Sequence, residues 1–207
     1  MEVVCLDLEG VLVPEIWINF AEQTGIPAFA ATTRDIADYD VLMQQRLTLL
    51  KQHGFSLHDV QAVIAKMQPF AGAKAFLDWL RLHFQVIILS DTFYEFAQPL
   101  MQQLGSPTLF CHQLIVDEQG KVVDYKLRQA DQKTQAVKAL HDLNFRVIAA
   151  GDSYNDIGML TEAEVGFLFE APAHVIEQFP QFPAIQGFSA LKQAICQASK
   201  RQIDGEG

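Results

Sequence analysis

The chain has 207 residues, half of them apolar and 19% charged, which excludes a disordered protein and bounds the fold at one domain with at most a modest insert. A formal charge of −10 excludes a general nucleic-acid binder, which needs a basic stripe. It does not exclude an anionic substrate, because a bound cation and a few local bases can hold a phosphate. Cys5, Cys111 and Cys196 form no CxxC pair and are odd in number, so they read as ordinary buried thiols in a reducing compartment. The first residues show no basic n-region, and no apolar run reaches the ~18 residues of a membrane span; the expected location is cytoplasmic.

The first element is an apolar run at 3–8 that reads as a strand. It carries Asp7 near its end and is followed by Glu9 and Gly10. Residues i and i+2 of a strand share a face, so Asp7 and Glu9 are expected to converge at its carboxyl end, where open α/β sheets place their chemistry. Residues 14–70 contain no convincing strand. They show helical patterns at 14–24, 38–53 and 57–67, with Gly54 as a stop and Ser56 as the N-cap of the last. This predicts an all-helical insert directly after the first strand.

A helix at 72–83, a strand at 85–90, a helix at 95–104 and a strand at 108–111 follow. Residues 111–127 alternate apolar and polar on both sides of a turn at 118–120, which predicts a β-hairpin. A helix at 131–143, a strand at 146–150, a helix at 156–162, a strand at 165–169 and a helix at 189–199 complete the pattern. Runs such as Val-Ile-Ile-Leu and Val-Ile-Ala-Ala are continuous, as in central strands of a parallel sheet covered on both faces. Strand and helix in repeated order predict an α/β fold, a doubly wound parallel sheet. The polar tail at 201–207 is expected to fray.

Four places carry chemistry. Asp7 suits a nucleophile that attacks phosphorus, and Glu9 a group that protonates the leaving oxygen and then deprotonates the acceptor. An ordinary strand end with a turn would look the same. In Ile88-Leu89-Ser90-Asp91-Thr92 the Ser90 hydroxyl and free backbone N–H groups suit phosphate oxygens, although either Ser90 or Asp91 would also cap a helix. Lys133 offers an ammonium that would neutralise phosphate and nucleophile together, with Arg128 and Lys126 as rivals. Gly151-Asp152-Ser153-Tyr154-Asn155-Asp156 follows a buried strand and gathers acids suited to Mg²⁺, with Asn155 toward substrate or phosphate. The bland reading of that loop is an Asx-rich turn capping a helix.

In this order, the four pieces resemble the motifs of the haloacid dehalogenase (HAD) superfamily of phosphatases, over the whole chain. The resemblance implies a HAD-like Rossmann-type core of residues 1–13 and 71–207, with residues 14–70 as a small helical cap. It implies Mg²⁺ held by the Asp7 carboxylate, the Glu9 backbone carbonyl and Asp152, with Asp156 as a ligand or just behind one. Ser90, backbone N–H groups near Asp91, and Lys133 would hold the phosphate oxygens. Phosphoserine phosphatases of this superfamily carry a Glu after the first motif and an Arg in a cap helix. By resemblance Glu15 would bind the substrate ammonium and Arg46 its carboxylate, while Met43, Leu47 and Leu50 read as that helix's apolar face.

Two departures stand out: Glu9 replaces the usual second Asp, and Thr92-Phe93-Tyr94 replace the usual glycines after the second motif. Both resemble the bifunctional phosphoserine phosphatase/homoserine phosphotransferase branch. That branch implies phosphoserine as donor, with water or homoserine as acceptor, a place in serine and threonine biosynthesis, and no nucleic-acid or membrane partner. Three alternatives stay open. A dehalogenase would need neither the second acid nor the 151–156 loop. A phosphorylated receiver-type module would lack the helical insert. Another small phosphomonoester would serve the same motifs.

Overall fold

The computed structural model describes residues 1–32, 35–36 and 38–201. The fraying expected of the tail falls on 202–207, outside the described residues. In chain order the elements are β1 (Glu2–Leu6), α1 (Ile16–Thr24), α2 (Tyr39–Gln52), α3 (Leu57–Ile64), α4 (Ala73–His83), β2 (Gln85–Phe93), α5 (Tyr94–Gln103), β3 (Leu109–Val116), β4 (Val122–Lys126), α6 (Gln132–Asp142), β5 (Arg146–Gly151), α7 (Ile157–Glu162), β6 (Val165–Phe169), α8 (Ala173–Gln178), β7 (Ala184–Ile185) and α9 (Phe188–Ala198).

The strands form one sheet in the order β4-β3-β2-β1-β5-β6-β7. Every neighbouring pair is parallel except β3 with β4. β1 lies between β2 and β5, at the point where strand order changes direction, and such points open a crevice at the strands' carboxyl ends. Side-chain alternation along β1 explains its unbroken apolar run. Val4 and Leu6 join the cluster built by α1–α5 and α9, and Val3 and Cys5 join the one built by α6, α7 and α8.

The insert of α1, α2 and α3 is helical, as predicted. Its caps follow from the side chains: Asp38 accepts from the N–H of Asp40 at 2.9 Å, and Ser56 and Asp59 form a reciprocal box at 3.2 and 2.7 Å. The insert is fastened to the hairpin and to α5. Leu57 N–H donates to the Gly120 carbonyl at 2.8 Å, Lys121 Nζ to the Gly54 carbonyl at 2.7 Å, and Gln61 Nε2 to the Glu95 carbonyl at 2.7 Å.

Several boundaries differ from the sequence expectation. β1 stops at Leu6, before Asp7, whereas β2 continues through Phe93. The strand at 108–111 and the first arm of the hairpin are one strand, β3. It pairs with β2 on one side and β4 on the other, so the hairpin is the edge of the sheet rather than a separate element. Residues 154–156 make a 3₁₀ turn before α7, and α8 and β7 are too short to leave a periodic signal. Among the described residues, no helix is long and apolar enough to cross a membrane. The three cysteines are free; burial pushes the Cys5 thiol up to about 12, which keeps it unreactive.

Glu2 ties the first strand to the end of the described chain. Its carboxylate accepts from Arg146 Nη1 at 2.9 Å, Ser199 Oγ at 2.5 Å and the Lys200 N–H at 3.0 Å. Burial works to raise its pKa, but these donors outweigh burial and hold it below the ordinary value. A depressed carboxylate adds stability above the unfolded pKa and loses it as pH falls through the folded one. Glu2→Gln should therefore melt below wild type at neutral pH, and the gap should close as pH falls below the ordinary glutamate value of 4.5. Melting curves of both proteins from pH 7 to pH 3.5 check this; an unchanging gap would show that charge is not the cause.

Candidate active site

Asp7 follows the last residue of β1, and its N–H donates to the Ala150 carbonyl of β5 at 3.0 Å. The residue is 4% exposed. Oδ1 accepts from the Leu8 N–H at 2.7 Å and lies 2.9 Å from Lys133 Nζ, so both donors fall on one oxygen; Oδ2 has no protein donor among the described residues. The chain then turns at Gly10, whose φ is +80°. A Cβ on Gly10 would stand 2.4 Å from the Asp152 carboxyl carbon, so only glycine lets that carboxylate close on the turn.

Lys133 is 2% exposed in the first turn of α6. Its Nζ is 2.7 Å from Asp156 Oδ1 and 3.9 Å from Asp91 Oδ2, besides its contact with Asp7. Of the three basic candidates it is the one that reaches Asp7. Arg128 turns to Gln132 and lies over the Phe110 ring, and Lys126 is exposed on the edge strand. Burial works to lower the Lys133 pKa, but Asp156, Asp7 and Asp91 hold it well above the ordinary value. Asp7 is itself raised, first by burial and then by Asp156, against the pull of Lys133.

Asp156 is fully buried and organises the loop: Oδ1 takes Lys133, and Oδ2 accepts from the N–H groups of Asp152 and Ser153 at 2.9 and 3.0 Å. Burial, then Asp156 and Glu15, push Asp152 up to about 7. Among the described residues, Asp7, Asp152 and Asp156 each offer an oxygen within 4.8 Å of the others. Three crowded acids whose repulsion raises two of their pKa values fit a hard divalent cation with oxygen ligands.

At the end of β2, Ser90 is 2% exposed and its Oγ accepts from the Thr92 N–H at 3.3 Å. The Asp91 carboxylate accepts from Gln132 Nε2 at 3.1 Å and from Asn155 Nδ2 at 2.9 Å, and His112 Nε2 stands 3.7 Å away. Burial works to raise the Asp91 pKa, but Lys133, Asn155 and Gln132 hold it below the usual carboxylate range. The structure thus brings Asp7, Ser90, Asp91, Lys133, Asp152, Asn155 and Asp156 together from four segments.

The single strand face expected to carry both Asp7 and Glu9 is corrected, because neither residue lies within β1. The strand ends at Leu6, so strict alternation no longer applies beyond it. Glu9 Oε2 instead accepts from the Ile16 N–H at 2.7 Å, at the start of α1. Burial, then the Glu15 carboxylate, push Glu9 up to about 8. Among the described residues, the Glu9 carboxylate is not one of the clustered metal-type acids.

Arg46 lies near both glutamates, since each of their charges acts on it, and is 8% exposed. Its Nη2 donates to the Ala31 carbonyl at 2.8 Å and its guanidinium lies 4.6 Å over the Trp17 ring. Its Nε has no hydrogen-bond partner among the described residues. Met43, Leu47 and Leu50 are buried on the same helix, the apolar face expected of them. The contacts of Trp17, His112, Gln132 and Arg128 are not legible in the sequence. Trp17, His112 and Gln132 meet Arg46 and Asp91, which are distant along the chain, so no spacing marks them, whereas Arg128 meets Gln132 four residues on.

A family model described as haloacid dehalogenase-like hydrolase matches residues 1–164. A Pseudomonas aeruginosa protein named phosphoserine phosphatase ThrH is 62% identical over 203 residues, covering 98% of this chain and 99% of that one. A Pseudomonas syringae pv. tomato protein named phosphoserine phosphatase is also 62% identical, covering 98% of this chain and 86% of that one. A solved structure described as a phospho-aspartyl intermediate analogue of phosphoserine phosphatase superposes with a TM-score of 0.75 at 18% identity, covering 97% of this chain and 99% of that one.

Proposed function

Because the chain belongs to the haloacid dehalogenase-like hydrolase family, we propose that it is a Mg²⁺-dependent phosphoserine phosphatase that also passes the phosphoryl group to homoserine through an aspartyl phosphate on Asp7. One observation carries the reading: a buried carboxylate with an undonated oxygen, Asp7 Oδ2, beside a buried lysine and two further acids. The names of the two Pseudomonas relatives support the substrate, and the phospho-aspartyl analogue supports the intermediate.

Bound to Asp7, Asp152 and the Glu9 carbonyl, with Asp156 as a further ligand or behind them, Mg²⁺ would supply positive charge to the phosphate. Lys133, Ser90 and backbone N–H groups near Asp91 take the remaining oxygens, and Asn155 meets the substrate beside them. Arg46 offers its Nε, which has no partner among the described residues, to the substrate carboxylate, and Glu15 takes the ammonium. Asp7 attacks phosphorus as the bond to the serine oxygen breaks, and Glu9 gives that oxygen its proton. Glu9 then recovers a proton from water or from the homoserine hydroxyl as either attacks phosphorus and frees Asp7. The helical segment at 14–70 acts as a cap that limits bulk water, which matters because hydrolysis competes with transfer. A cytoplasmic location is consistent with three free thiols.

The test is incubation with phosphoserine and Mg²⁺, with and without homoserine. Serine and phosphate are expected without it, phosphohomoserine with it, and neither in excess EDTA. Turnover of other phosphomonoesters but not phosphoserine would overturn the substrate, and absence of phosphohomoserine would overturn the transfer.

A further inference from the structure

Gln132 is 2% exposed at the first position of α6, directly before Lys133. The two ends of its amide meet chemically opposite partners. Oε1 accepts from Arg128 Nε at 3.1 Å and Nη2 at 3.0 Å. Nε2 donates to the Ser90 carbonyl and, at 3.1 Å, to Asp91 Oδ1. A guanidinium only donates and a carboxylate only accepts, so these partners allow one orientation of the amide.

From Asp91 the connection continues. Its Oδ2 accepts from Asn155 Nδ2 at 2.9 Å and lies 3.9 Å from Lys133 Nζ, and Asn155 Oδ1 accepts from Ser153 Oγ at 2.5 Å. One polar strap therefore runs from exposed Arg128 through Gln132 and Asp91 to the 151–156 loop. It joins the start of α6, the end of β2 and that loop, which between them carry the phosphate-binding groups. An apolar side chain would fill the same buried volume without the cost of desolvating an amide, so packing alone does not account for a glutamine here.

We propose that Gln132 is a positioning residue for phosphoryl transfer: it holds Asp91 and the Ser90 carbonyl, and through Asp91 it sets where Asn155 and Lys133 stand against the phosphate. This rests on the phosphatase reading above and adds to it a group that does not touch substrate.

The test measures kcat and KM in saturating Mg²⁺, together with melting temperature, for wild type, Gln132→Leu, Asp91→Asn, the double variant and Arg128→Leu. Phosphoserine and p-nitrophenyl phosphate are the two substrates. A misplaced phosphate site is worth about 10²-fold in rate, so kcat of Gln132→Leu should fall by about that factor with little change in KM. If Gln132 acts through Asp91, the double variant loses no more than the more damaging of the two single variants, because residues in one network are not additive. Arg128→Leu frees the amide to turn and should cost several-fold in kcat at unchanged melting temperature. Since Arg128 is exposed, that variant carries the test if Gln132→Leu does not fold. Wild-type kcat in folded Gln132→Leu, losses that multiply in the double variant, or, where Gln132→Leu does not fold, wild-type kcat in Arg128→Leu would overturn the proposal. A wild-type protein that turns over only p-nitrophenyl phosphate overturns the substrate reading alone, and the variants are then read on that compound.

Discussion

Asp7→Asn should abolish turnover, by about 10⁴-fold or more, while leaving the fold intact. An amide has the size of the carboxylate and keeps an oxygen for the Leu8 N–H and Lys133, but it is no nucleophile toward phosphorus. The fold should tolerate the change, because the native charge is held at a cost: burial and Asp156 already push the Asp7 pKa up. Without Mg²⁺ the variant should melt at or above wild type, since one of three crowded acids has been neutralised. With Mg²⁺ wild type should gain more than the variant, which has lost a charged ligand. Phosphate-release kinetics and melting curves with and without EDTA check both halves. Retained turnover would mean that water attacks phosphorus directly and no aspartyl phosphate forms.

Lys133→Met should be costly in both stability and rate. The methionine replaces a buried cation that contacts both Asp7 and Asp156, which are 4% and 0% exposed. Removing one partner of a buried ion pair typically costs about 3 kcal/mol or more, because the remaining charge is unpaired. For a chain of this size that corresponds to a drop of roughly 6–12 °C in melting temperature. The loss is bounded because a stranded carboxyl can take up a proton instead of staying charged. Mg²⁺ should restore more of the variant's melting temperature than it adds to wild type, as the site is then more negative. The rate should fall by about 10²- to 10³-fold, the usual effect of losing one fixed charge at a developing oxyanion. A variant that melts with wild type in EDTA would show that Asp7 and Asp156 are not both charged in the native protein.

The sequence is most legible where its signals are local. The apolar runs at 3–8, 85–90 and 146–150 place strands whose carboxyl ends carry Asp7, Ser90 and Asp152, and the sheet puts those ends side by side. The helical insert and its Ser56 cap were equally plain, since periodicity and capping involve neighbours along the chain. What the sequence left open was settled by packing. Lys126, Arg128 and Lys133 are equivalent as letters, and only the seating of α6 against β2 and β5 buries Lys133 between Asp7 and Asp156.

Glu9 shows the limit most clearly. Its two-residue spacing from Asp7 predicts a shared face, but only while the strand lasts, and pairing with β2 and β5 ends at Leu6. Beyond that point the turn at Gly10 and the approach of α1 aim Glu9 at the Ile16 N–H. Similarly, the strand at 108–111 and the hairpin arm after it could be joined only through pairing with β2, which no local pattern records. The sequence by itself determined which elements form and which residue types stand at their ends, because these follow from periodicity and propensity within a few residues. The tertiary structure alone decided which charges face each other and how Gln132 is linked to Asp91, because those contacts depend on where segments far apart in the chain come to rest.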